Sequence, residues 1–126
     1  MGNKKQLQLL KLHRKLQKIF NIKVELEFKT NKEHSKYVMD VGAIIMSLEM
    51  LHFTEIRGSY FTIESPKHAN TIVMSTTYSQ APKNTLLHEW THALINHCNQ
   101  KQINDHDNFF YACFRDLKKY LRKKGL

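Results

Sequence analysis

The stretch Asn84-Thr85-Leu86-Leu87-His88-Glu89-Trp90-Thr91-His92-Ala93-Leu94 decides how the rest of the chain is read. Leu86, Leu87, Trp90, Ala93 and Leu94 recur at three- and four-residue spacing, the pattern of a helix with one apolar face. Pro82 can occupy a first helical turn, where its missing N–H costs nothing, so a helix is expected from Pro82 to about Cys98. His88 and His92 lie four positions apart, on one side of that helix and off its apolar stripe. Two imidazoles one turn apart can hold one metal ion between them.

Neutral imidazole is a good ligand for Zn²⁺, and a site with three protein ligands keeps a fourth position for water. Glu89 adjoins the first histidine and can accept a proton from such a water. The sequence is thus the HExxH pattern of zinc-dependent peptidases. A third ligand is required, and the candidates downstream are His97, His106, Asp105 and Asp107. His97 lies five residues beyond His92 and is turned away from the ligand side. His106 opens the following helix and can meet the other two once the chain has reversed direction. Asp105 or Asp107 is the weaker ligand candidate, and either could orient an imidazole from behind.

Further elements surround this helix. Residues 4–20, with Leu7, Leu9, Leu10, Leu12, Leu16, Ile19 and Phe20, predict an amphipathic helix with a lysine-rich outer side. In residues 22–29 the period changes: Ile22, Val24, Leu26 and Phe28 alternate with Lys23, Glu25, Glu27 and Lys29, which predicts a half-buried strand. Residues 37–56 fit a helix through about Leu51 or a strand. Gly58 punctuates, and Tyr60–Glu64 with Thr71–Thr76 reads as two short strands around a turn. Asp105 is placed to cap a last helix to about Lys123, with His106, Phe110, Cys113, Leu117 and Tyr120 on one face. The expected fold class is α+β: one domain over 1–126, a small antiparallel sheet packed on the HExxH helix, and basic helices at both ends.

The chain has 126 residues, 41% hydrophobic and 25% charged, with a formal net charge of +9. That is the profile of a single globular domain with a modest core. No apolar run approaches the ~18 residues a membrane span needs, and Met1-Gly2-Asn3-Lys4-Lys5 is not followed by a signal-peptide core. A monomer that is cytoplasmic or nucleoid-associated, not secreted and not on a membrane is expected. Cys98 and Cys113 read as reduced core fillers. Residues 1–23 carry Lys4, Lys5, Lys11, Arg14, Lys15, Lys18 and Lys23 and no acid, while the tail sets Arg115, Lys118, Lys119, Arg122, Lys123 and Lys124 against Asp116 alone. Two basic ends of this kind attract polyanions, DNA among them.

The stretch 84–94, then Asp105-His106-Asp107 and Phe109-Phe110, resembles the SprT-like (Spartan-type) family of zinc metallopeptidases. Those proteins follow HExxH with a third histidine early in the next helix, usually after glycine and shortly before an aromatic residue. Here Asp105 stands in the glycine's place, and Phe109 or Phe110 supplies the aromatic. No counterpart of the family's C-terminal zinc ribbon is expected within residues 1–126.

The resemblance implies a zincin-like fold, one Zn²⁺ per chain held by His88, His92 and His106, and Glu89 as general base. It implies protein or peptide substrates, with a DNA-linked role. The strand Thr71–Ser75 would form the cleft edge, where a substrate peptide adds by β-pairing. Tyr78 and Tyr111 are the candidates for an oxyanion stabiliser.

Two other readings stand beside this one. An ImmA/IrrE-type regulatory metallopeptidase would take its third ligand from an acid further along. A non-enzymatic basic nucleic-acid-binding module would enclose a structural zinc with a fourth protein ligand.

Overall fold

A computed structural model describes residues 2–30, 33, 58–61, 70–76, 81–98 and 106–126. The elements are α1 (Asn3–Phe20), β1 (Glu25–Lys29), β2 (Gly58–Phe61), β3 (Thr71–Ser75), α2 (Pro82–His97) and α3 (Asn108–Lys123). The ambiguous segment 37–56 lies outside the described residues, as do Tyr78 and Asp105. No described helix is long and apolar enough to cross a membrane.

α1 turns Leu9, His13 and Leu16 inward, a stripe at four- and three-residue spacing. Leu7, expected with that stripe, is exposed. The helix ends at Asn21, which adopts the left-handed conformation (φ 52°) at the C-cap. Asparagine tolerates this backbone better than most side chains. The turn into β1 is held by α1 itself, because the Val24 N–H donates to Gln17 Oε1 at 2.9 Å.

The sheet has the order β1-β3-β2 and is mixed, not antiparallel as expected. β2 and β3 form the anticipated antiparallel pair, with Tyr60 opposite Ile72, whereas β1 runs parallel to β3, with Leu26 beside Ile72 and Phe28 beside Met74. Alternation reveals which side chains share a face but carries no information on strand direction, which the connection between strands sets. Gly58 opens β2 instead of punctuating before it.

β3 is the central strand. All five of its residues are buried, and both of its edges are paired. Thr71–Ser75 therefore cannot be the free edge the sequence suggested. Within the described sheet the edges belong to β1 and β2.

Ile72 and Met74 of β3 meet Leu9 and Leu16 of α1, Leu86, Leu87, Trp90 and Ala93 of α2, and Leu117 and Leu121 of α3 in the main core. α2 is buried over much of its circumference, including Glu89 and Thr91, the behaviour of a helix enclosed by neighbours. Thr91 satisfies its hydroxyl by donating to the Leu87 carbonyl at 2.8 Å. α3 buries Phe110, Phe114, Leu117 and Leu121. The expected face is thus rotated by about one residue after Phe110, which leaves Tyr120 exposed and Cys113 only partly covered.

Candidate metal centre

His88 and His92 stand half-buried on α2, their rings 5.1 Å apart. His106 comes from a different part of the chain, two residues ahead of α3. Its Nε2 lies 3.0 Å from Nε2 of His88 and 3.3 Å from Nε2 of His92. One nitrogen from each of the three residues lies within 4.8 Å of the others. A tetrahedral Zn²⁺ with Zn–N bonds of about 2.0–2.1 Å separates its nitrogen ligands by roughly 3.3 Å. Two of the observed separations match that requirement. The donor set is three imidazoles, borderline ligands suited to zinc and to other late first-row divalent ions.

His106 is held in place by the start of α3. Asp107 is the N-cap, and its carboxylate accepts the Phe110 N–H at 2.8 Å. The capping residue is thus Asp107, not the expected Asp105, and Asp107 serves the helix end instead of ligating. The same turn sends Phe110 inward, where it is fully buried.

The Phe110 ring stacks on His92 at 4.4 Å (27°) and meets His88 edge-on at 4.8 Å and His106 at 5.0 Å (89°). Phe114 adds a second contact to His88 at 5.6 Å. One phenylalanine therefore touches all three imidazoles and restricts how each can turn. Phe110 fulfils the aromatic position of the sequence pattern, whereas Phe109 is exposed.

Electrostatics favour a ligand-ready His88. Burial first, then the neighbouring His92 and His106, lower its pKa to about 4, so at neutral pH it presents a lone pair. Glu89 is 5% exposed, and burial pushes its carboxyl up to about 8. Such a group ionises readily only beside positive charge, and a divalent cation on the adjacent histidines would supply it.

Among the described residues, no fourth His, Cys, Asp or Glu joins the cluster. His97 faces elsewhere, its Nε2 lying 3.1 Å from Asn70 Oδ1. Tyr111 is exposed, with its ring 6.4 Å from that of His106. Cys98 is exposed and Cys113 is half-buried, both as free thiols. The reading of both as core fillers therefore fails for Cys98. The two instead line an apolar groove of about 400 Å³ with Phe20, Leu94, Phe109 and Tyr120.

The sequence reading missed His13, whose imidazole is buried between α1, α2 and the turn into β1. Its position between Leu9 and Leu16 on the inward stripe was the available signal. Comparison with models of protein families, with curated proteins and with solved structures finds no match to this chain.

Proposed function

We propose that the chain is a zinc-dependent endopeptidase of SprT-like type, with a zincin-like placement of the HExxH helix against the sheet. The observation that carries this reading is the meeting of His106, from outside α2, with His88 and His92 beside the buried Glu89. A histidine in the third position favours this reading over an ImmA/IrrE-type site completed by an acid. Three converging donors, and no fourth among the described residues, favour a hydrolytic site over an enclosed structural one.

Bound Zn²⁺ supplies a water of lowered pKa and polarises the carbonyl under attack. His88, His92 and His106 would hold the ion, with Phe110 fixing their ring orientations. Glu89, ionised beside the positive charge, takes the proton from the attacking water at a carboxylate oxygen. It then returns that proton to the leaving amine. Burial of Glu89 keeps bulk water from competing for it. A substrate backbone would pair with β2, an edge strand of the described sheet packed against α2, in place of the fully paired β3.

The basic ends would bring the domain to DNA-associated proteins. All seven Lys and Arg side chains of residues 1–23 are exposed. Arg14, Lys15, Lys18 and Lys23 line one groove of about 630 Å³.

The test is hydrolysis of an unfolded protein and a fluorogenic peptide pool by the zinc-loaded chain, with and without DNA. Glu89→Gln should retain one zinc per chain and lose activity by about 10²–10⁴-fold, the range general-base catalysis contributes. Cleavage undiminished in that variant, or no zinc bound by the unaltered chain, would remove the proposal.

A further inference from the structure

Trp90 lies on the side of α2 opposite the imidazoles: at 3.6 residues per turn it points roughly 180° from the midpoint of His88 and His92. It is fully buried, and its indole N–H donates to His13 Nδ1 at 3.0 Å. The other nitrogen, His13 Nε2, lies 2.6 Å from the Val24 carbonyl oxygen. An indole N–H can only donate and a carbonyl oxygen can only accept, so the imidazole is the neutral Nε2–H tautomer with both nitrogens satisfied. Gln17, one turn further along α1, accepts the Val24 N–H. A continuous buried relay therefore runs from α2 through α1 to the turn that launches β1.

We propose that His13 is a positioning residue for the metal centre: by holding the Trp90 indole it fixes the rotational setting of α2, and with it the approach of His88 and His92 to His106. The leverage is geometric. A 20° rotation of α2 would carry imidazole nitrogens, ~6 Å from the helix axis, through about 2 Å, against a tolerance of about 0.5 Å for a working site. A side chain that merely filled space could not do this. The Trp90 ring, tilted 58° to the imidazole at 5.4 Å, needs an acceptor in one direction.

The relay is also acid-sensitive. A proton on Nδ1 would set an N–H against the indole N–H and break the bond that holds α2. Burial opposes that protonation, as does Arg14 of α1, while the Val24 carbonyl and Glu25 of β1 favour it; the first of these dominates and lowers the pKa. From α2 the ring meets only the Trp90 donor among the groups that act on it. The relay is therefore intact at neutral pH and is lost as pH falls through the depressed value.

The inference concerns zinc binding and rests on the proposed hydrolysis only for its catalytic consequence. Zinc affinity of the full chain, measured by chelator competition, is compared between the unaltered protein and His13→Phe from pH 8 down through the pH at which the His13 ring titrates by NMR. The variant should bind one zinc about tenfold more weakly at pH 8. That ratio should close towards one at acid pH, where the unaltered chain has lost the relay too.

Equal affinities in a folded variant, or a ratio unchanged across that titration, would overturn the proposal. Should His13→Phe not fold, Trp90→Phe, which keeps the aromatic bulk and removes the indole N–H, takes its place in the same competition and should weaken zinc binding in the same direction. Unchanged affinity in that folded variant would sink the idea. Absence of hydrolysis by the zinc-loaded chain would end the peptidase reading alone and leave the affinity ratio standing.

Discussion

Two groups of histidines in this small chain solve opposite problems. At His13 each ring nitrogen has one protein partner of fixed polarity, a carbonyl on one side and an indole N–H on the other. At His88, His92 and His106 the nitrogens face one another instead, with Nε2 atoms 3.0 and 3.3 Å apart. The first arrangement is complete without any ligand and fastens three elements together. In the second, three imidazole nitrogens lie within 4.8 Å of one another, close enough to share one metal ion. Burial divides them the same way: His13 is inside, whereas His106 is on the surface. A histidine's role is therefore read from what its nitrogens face, not from its presence in a motif.

That contrast is open to experiment, and the largest effect belongs to the exposed member. His106→Ala should weaken zinc binding by at least about a hundredfold, because one of the three proposed ligands is removed. The stability of the metal-free protein should change by no more than about 0.5 kcal/mol, as for other surface positions. Calorimetric titration with zinc and urea unfolding with chelator present would show both; an equal loss in the two would erase the distinction.

His13→Phe should do the reverse to stability, costing about 2–6 kcal/mol. It leaves the Trp90 N–H and the Val24 carbonyl buried without partners, each worth about 1–3 kcal/mol. The urea midpoint should fall with the slope unchanged.

The next effect is a pH dependence with a definite sign. Glu89 is raised from 4.5 to about 8 in the fold, so the native state keeps a proton that the unfolded chain has released. Its contribution is fully present below pH 4.5 and is lost as pH rises through 8. His88, lowered from 6.5 to about 4, contributes in the opposite sense, fully present above 6.5 and lost as pH falls through 4. His13, also lowered from 6.5 by burial, acts in the same sense as His88, and both oppose Glu89 between 4.5 and 6.5. Between 6.5 and 8 Glu89 is the group with a resolved shift that acts among the described residues, and through it the metal-free protein should lose about 2 kcal/mol there, at ~1.4 kcal/mol per proton per pH unit. Glu89→Gln should flatten that segment of the urea-midpoint profile; a slope that persists would assign it to another group.

The smallest expected change is at the cap that presents His106. Asp107→Ala should cost about 1 kcal/mol of stability, the usual worth of an N-cap carboxylate, and should weaken zinc binding only slightly.

Much of the site was legible beforehand, because helical periodicity is a local property. The four-residue spacing of His88 and His92 placed them on one side of a helix, and α2 occupies Pro82–His97 almost as expected. Phe110 was placed on the inward face of the last helix, where it is. Leu7, Cys98 and Tyr120 were expected inside and are exposed, and other failures concerned how segments meet. Asp105 was expected to cap α3, but the cap is two residues later, at Asp107. The strand Thr71–Ser75 was expected to offer an edge, but β1 pairs alongside it.

His13 shows the same limit. Its spacing with Leu9 and Leu16 marks it as inward, yet its meaning depends on Trp90, 77 positions away. Residue types and short-range spacing were enough by themselves to set the helices, the chemical character of the ligands and the basic ends, since each depends on neighbours a turn or a pleat away. Only the tertiary structure decided strand direction, which edge is free, how three imidazoles meet and what anchors the helix behind them. Those are contacts between distant segments, selected by the joint burial of apolar surface and not by any one segment's own preference.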